Sequence, residues 1–261
     1  MRYGAAKSRR LLVRTVVALD EFRSAVTVIG GDVVIDPRFV TDDPNLVDLM
    51  ARVGISPALK DRPGIYGFAT EEVLEWQRRT TVDLIVPEAY AGPGRRAARI
   101  EGQRHAASRT RGLELAIWDR TSAVLTTLDE PYESVAVCVA GPAALLTAKA
   151  HKLHQRLVDV ISRPDRLKAK DSGDVAMLMM VCDPQGVAQV MIASVAAHPE
   201  IADVVRQAGA WLLEMYSDTA SIPRQQAVDS LAARFDDAET EAAMNEWLAG
   251  FQAASGGLFS G

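Results

Sequence analysis

The chain has 261 residues, 48% of them hydrophobic and 24% charged, enough to bury an ordinary globular core in one large domain or two small ones. Its formal net charge of −5 argues against a protein that coats nucleic acid through overall charge, and leaves room for a local basic patch. No run reaches the ~18 continuous apolar residues of a membrane span, and the basic start, Met1 to Arg10, leads into an amphipathic stretch, not an apolar signal core. A cytoplasmic protein without a membrane partner is expected. Cys138 and Cys182 lie in apolar runs with no Cys-x-x-Cys spacing, which suits buried small hydrophobes in a reducing compartment better than zinc ligands.

In chain order, Leu12, Val16, Leu19 and Phe22 recur at helical spacing and predict a helix over 7–23. Residues 25–29 and 32–36 read as β-branched strands joined at Gly30-Gly31, the second ended by Pro37. A helix starts at Asp43-Pro44 and stops at Gly54. Strands follow over 65–69 and 80–86, then an expected antiparallel set at 98–101, 113–118, 123–128 and 134–140. From Pro142 the pattern is helical throughout, over 142–161, 167–181, 185–197, 199–216, 222–234 and 238–251. The chain thus reads as an α/β (α+β) protein, with a mixed-sheet domain over 1–141 and an all-helical domain over 142–261.

Two groups of residues carry possible chemistry. Asp32 and Asp36 share one face of a strand, and Asp83 sits inside the apolar strand Val82-Asp83-Leu84-Ile85. A charge there is costly unless it is paired or binds a metal, and carboxylates gathered on one sheet face suit Mg²⁺ and nucleotide phosphates. Strand-end aspartates also cap turns or pair with arginine, a role that fits Asp36 before Pro37. The second group is Lys149 and Lys152 on one helix side, followed by Lys170-Asp171-x-x-Asp174 at a helix start. Lysine suits a triphosphate; the alternative is a solvated charged face with Asp171 as helix cap. His151 and His154 lack a carboxylate at ligand spacing and read as surface or packing residues.

The order of these pieces resembles the AbiEii-like nucleotidyltransferases, toxins with the DNA polymerase β-type nucleotidyltransferase fold: a strand ending in Gly30-Gly31, the Asp32 strand, the Asp83 strand, Leu-Leu-x-x-Lys149, then Lys170-Asp171-x-x-Asp174. The resemblance covers roughly residues 7–181. It implies a Mg²⁺ (or Mn²⁺) site at Asp32 and Asp83, catalytic roles for Asp83, Lys149 and Asp171, and nucleotide contacts from Gly30, Gly31, Lys149, Lys152, Lys170 and Asp174. The helical domain would complete the active site. A nucleoside triphosphate would be the donor, the 3′ end of tRNA the acceptor, and a cognate antitoxin the protein partner. The family pattern places a Gly-Ser turn, a short helical stretch and Thr-x-Asp-x-Asp between the first two strands. Here Gly30 stands two before Asp32, where that pattern has its first metal carboxylate, and an additional segment after Gly31 is expected from the family. The bare Gly-Gly junction would instead make a hairpin.

Arg95, Arg96, Arg99, Arg104, Arg109 and Arg111 face a single acid, Glu101, in a glycine-rich stretch that suits contact with RNA phosphates or a solubilising loop. Two further readings remain open: a degenerate nucleotidyltransferase-fold protein that binds without turnover, and an interaction protein docking through Asp236, Asp237, Glu239, Glu241 and Glu246.

Overall fold

The computed structural model describes residues 2–19, 25–29, 31–41, 43–58, 61–68, 80–103, 105–128 and 131–259, with side chains in the first helix from residue 9. The chain divides into two compact units, Met1–Gly141 and Pro142–Gly261. The first is a mixed α/β unit around an eight-stranded sheet; the second is all helical.

The first unit runs α1 (Arg2–Ala18), β1 (Val26–Ile29), β2 (Asp32–Ile35), α2 (Leu46–Arg52), β3 (Ile55–Pro57), β4 (Ile65–Phe68), β5 (Thr81–Pro87), β6 (Ser108–Thr110), β7 (Arg120–Thr126) and β8 (Ser134–Ala140). The sheet order is β3-β4-β5-β2-β1-β8-β7, and β6 pairs with β5 off this path. Strand alternation sorts the side chains cleanly. Val26, Val28, Val33, Ile35, Val82, Leu84 and Val86 join Leu11, Leu12, Leu49 and Met50 in one buried core beneath α1 and α2. The opposite sheet face therefore carries Thr27, Asp32, Val34, Asp83 and Ile85.

Ile29 stands opposite Asp32 in the antiparallel β1–β2 register, so the two strands pair as a hairpin across this junction. Gly31 is exposed at that turn, and Gly30 lies outside the described residues, as does the part of the expected first helix beyond residue 19. The α2 cap is Asn45, whose side chain accepts from Val47 N–H, instead of Asp43.

Two expected strands are absent. Residues 98–101 make only isolated bridges, Ala97 with Ser108 and Ile100 with Gln103. Residues Glu114–Ile117 form a 3-10 turn with all four residues buried, because the Glu114 carboxylate accepts from Gly112 N–H at 2.7 Å and Ala89 N–H at 3.3 Å and bends the chain. Only β7 and β8 of the expected antiparallel set pair that way, from Arg120↔Ala140 to Thr126↔Ser134. The strands β3 and β6, three residues each, are too short to leave a pattern in the sequence.

The helical unit comprises α3 (Pro142–Val158), α4 (Ala169–Val181), α5 (Pro184–Ala197), α6 (Ala202–Ser217), α7 (Ile222–Leu231) and α8 (Asp237–Ser255). Asp183, Ser221 and Asp236 cap α5, α7 and α8 by accepting backbone N–H bonds. Its core includes Leu146, Leu153, Met179, Met191, Leu212, Tyr216, Trp247 and Phe251. Among the described residues no single helix is long and apolar enough to cross a membrane. Cys138 and Cys182 are half-buried free thiols, more open than their apolar neighbours suggest.

Gly64 fixes how β5 is held. Its φ is +80°, and a Cβ there would lie 2.4 Å from both Leu84 O and Ser108 N. Its carbonyl accepts from Leu84 N–H at 2.7 Å. Gly64→Ala forces this backbone contact apart and should destabilise the protein by about 3 kcal/mol. Urea denaturation would measure it; a change within ~0.5 kcal/mol would contradict the assigned contact.

Candidate functional site

The carboxylates at the start of β2 and β5 come together because these strands are parallel neighbours, with Val33 opposite Leu84 and Val34 opposite Ile85. That register places Asp32 beside Asp83 on the face away from the α1–α2 core. The Asp83 N–H donates to Asp32 Oδ1 at 3.1 Å, which fixes the first carboxylate against the backbone of the second strand. Both residues are half-buried. Burial, followed by the negative charge of Asp32, pushes the Asp83 carboxyl up to about 6.

Two adjacent carboxylates, one of them raised by burial and by the charge of the other, form a donor set that a divalent cation would relieve. Mg²⁺ commonly uses one or two protein carboxylates and completes its shell with water and substrate oxygens. The pair fits that limited requirement. Among the described residues no group of three or more His, Cys, Asp or Glu side chains is arranged to hold a metal.

Asp36, on the same strand face, serves another purpose. It is 2% exposed, caps the Pro37–Phe39 turn and pairs with Arg38 through both oxygens, Arg38 Nε to Oδ1 at 2.9 Å and Arg38 Nη2 to Oδ2 at 2.7 Å.

The lysine cluster lies wholly within the helical unit. Lys149 Nζ donates to Asp174 Oδ2 at 2.5 Å, and Lys152 Nζ to Asp171 Oδ1 at 2.7 Å. Arg156 Nη1 donates to Asp171 Oδ2. Asp171 is not the helix cap: Lys168 occupies that position, and Asp171 sits in the first turn of α4. Burial alone would raise the Asp171 carboxyl, but the hydrogen bond from Lys152 and the charges of Lys152, Arg156 and Lys149 hold it below the usual carboxylate range. The cluster therefore joins α3 to α4 as well as presenting cationic groups. Lys170 is exposed on the same turn.

His151 and His154 pack, as their spacing suggested. His154 stacks on Trp211 at 3.7 Å between centroids, and His151 Nε2 lies 2.9 Å from Val204 O.

In the arginine segment, Arg95, Arg96, Arg99 and Arg111 are exposed, and Arg104 lies outside the described residues. Arg109 Nη2 and Nε bond Glu88 Oε1 at 2.9 and 3.1 Å, while Arg111 Nη1 lies 3.5 Å from Glu88 Oε2. Glu88 thus ties down two of the six arginines. The acidic α8 start also has a local explanation: Asp236 caps the helix and Asp237 and Glu239 occupy its first turn, where negative charge complements the helix dipole.

Sequence reasoning missed Tyr90 and Trp118, whose rings gather around Arg38 from separate segments. No local motif joins them. Comparisons of the chain with protein-family models, curated proteins and solved structures gave no match.

An acid whose folded-state pKa exceeds its unfolded value of about 4 keeps an extra proton in the native state between the two, so stability falls as pH rises through that window. For Asp83 the window closes near pH 6. In metal-free buffer, Asp83→Asn should therefore raise Tm at pH 7.5 and leave it unchanged at pH 4; a difference independent of pH would contradict the raised carboxyl. In the helical unit, Asp171→Ala strands two cations and should cost about 3 kcal/mol. Lys152→Ala should cost less than ~1 kcal/mol, since Lys152 is 44% exposed. Equal costs by chemical denaturation would show that Asp171 does not serve as the shared partner.

Proposed function

We propose that this protein is a Mg²⁺- or Mn²⁺-dependent nucleotidyltransferase that moves a nucleotide from a nucleoside triphosphate to an RNA acceptor. The observation that carries the reading is the Asp32–Asp83 pair: two carboxylates on adjacent parallel strands, with Asp83 raised to about 6. The resemblance to AbiEii-like toxins supplies the narrower reading, in which the acceptor is the 3′ end of tRNA and a cognate antitoxin restrains the activity.

In this reaction an acceptor hydroxyl oxygen bonds to the α-phosphorus while the bond to the leaving pyrophosphate breaks. Asp83 is the carboxylate suited to take the hydroxyl proton. Asp32 keeps the neighbouring charge fixed through its bond from Asp83 N–H. Asp32 and Asp83 would hold the cation, which polarises phosphoryl oxygens when bound. The resemblance gives Lys149 and Lys152 the role of phosphate contacts; within the helical unit they pair with Asp174 and Asp171.

A second reading has one observation in its favour. In the sequence Gly30 stands two before Asp32, where the family pattern has its first carboxylate, as expected of a protein that binds nucleotide or RNA without turnover.

Incubation with total tRNA, Mg²⁺ and each labelled triphosphate separates the two. The transferase reading expects label in tRNA from wild type and at least ~100-fold less from Asp83→Ala, the scale of losing a general base; Lys149→Ala should also lose most of it. Triphosphate-induced thermal stabilisation without incorporation would support the non-catalytic reading instead.

A further inference from the structure

Arg38, Phe39, Tyr90 and Trp118 converge from three stretches of the first unit. The Arg38 guanidinium carbon lies 4.2 Å from the Tyr90 ring centre, 5.3 Å from that of Trp118 and 5.9 Å from that of Phe39. Trp118 Nε1 donates to Tyr90 Oη at 3.3 Å. The two-point grip of buried Asp36 fixes the plane of the guanidinium. Phe39 remains 61% exposed and Trp118 39%. Phe39 and Trp118 thus present aromatic surface to solvent beside a guanidinium whose plane is fixed.

Two placements indicate what these faces accept. Asp36, one residue past the end of β2, follows Asp32 by four residues, about 13 Å at the rise of extended chain. The segment that leaves Tyr90 presents exposed Arg95, Arg96 and Arg99. Aromatic and guanidinium planes beside phosphate-binding charge match a single strand, whose bases are unstacked and whose backbone is anionic.

We infer that the Arg38–Phe39–Tyr90–Trp118 cluster is a base-stacking site for the unpaired end of an RNA, with the neighbouring arginines on its phosphates. The inference rests on the RNA-acceptor reading above and adds where and how the strand is held. Its direction follows from the strand: an end stacked here reaches along β2 toward Asp32 and Asp83.

The test uses the full chain and a short fluorescein-labelled RNA, single-stranded or annealed into a duplex, with affinity followed by anisotropy across a salt series. Phe39→Ala and Trp118→Leu should each weaken single-strand binding about tenfold, leave its salt dependence unchanged and spare the duplex. Trp118→Phe, which keeps a stacking face, should bind like wild type. Arg95→Ala with Arg96→Ala should instead reduce the salt dependence. Unchanged single-strand affinity in Phe39→Ala and Trp118→Leu, or an equal loss on duplex, would overturn the inference. Label transfer in the same samples separates the two readings. Wild type that transfers nucleotide while both variants bind normally overturns stacking alone. Loss of single-strand affinity in both variants, with a wild type that never transfers nucleotide, overturns only the transferase reading.

Discussion

The parallel pairing of β2 with β5 is the constraint on which the first unit's chemistry depends. Parallel neighbours begin at the same end of a sheet, so the first residue of one and the third of the other bring their carboxylates to one place. The pairing sets one carboxylate beside the other. The fold compensates in part by aiming the Asp83 N–H at Asp32 Oδ1 and in part by raising Asp83. The register is itself over-determined. Leu84 and Val86 are fully buried in the core, so a one-residue slip would place Asp83 there instead. The same strand takes β4 on its other edge through Ile65↔Asp83 and β6 through Ile85↔Ser108, with Gly64 where the two meet.

A different solution to buried charge operates in the helical unit. Asp171 is 6% exposed and has cations on both oxygens, so its ionised form is favoured despite burial. Asp83 and Asp171 are thus shifted in opposite directions: burial, followed by an anion beside it, raises Asp83, while cations outweigh burial at Asp171.

Much of this organisation was legible in the sequence. Alternating apolar runs located β1, β2, β5 and β8, and the helical pattern from Pro142 onward located the six C-terminal helices. Asp32 and Asp83 stood out because a charge inside an apolar strand requires an explanation. The parallel register that joins them was hidden, since pairing partners fifty residues apart leave no local trace. The segment 113–118 looked like a strand because Leu113, Leu115 and Ile117 alternate; its turn is imposed by Glu114, whose hydrogen-bond partners cannot be read from spacing. The aromatic cluster around Arg38 was invisible for the same reason. Asp36, by contrast, was readable as a cap and arginine partner from its place before Pro37.

The central claim is that Asp32 and Asp83 form a coupled anionic pair suited to a divalent cation. The most direct measurement is a carboxyl-carbon NMR titration of Asp83 in wild type and in Asp32→Asn, with and without Mg²⁺. The account predicts a wild-type midpoint of about 6, lower in Asp32→Asn and lower again in wild type with Mg²⁺. A midpoint near 4, the ordinary aspartate value, that neither the substitution nor the cation moves would contradict it.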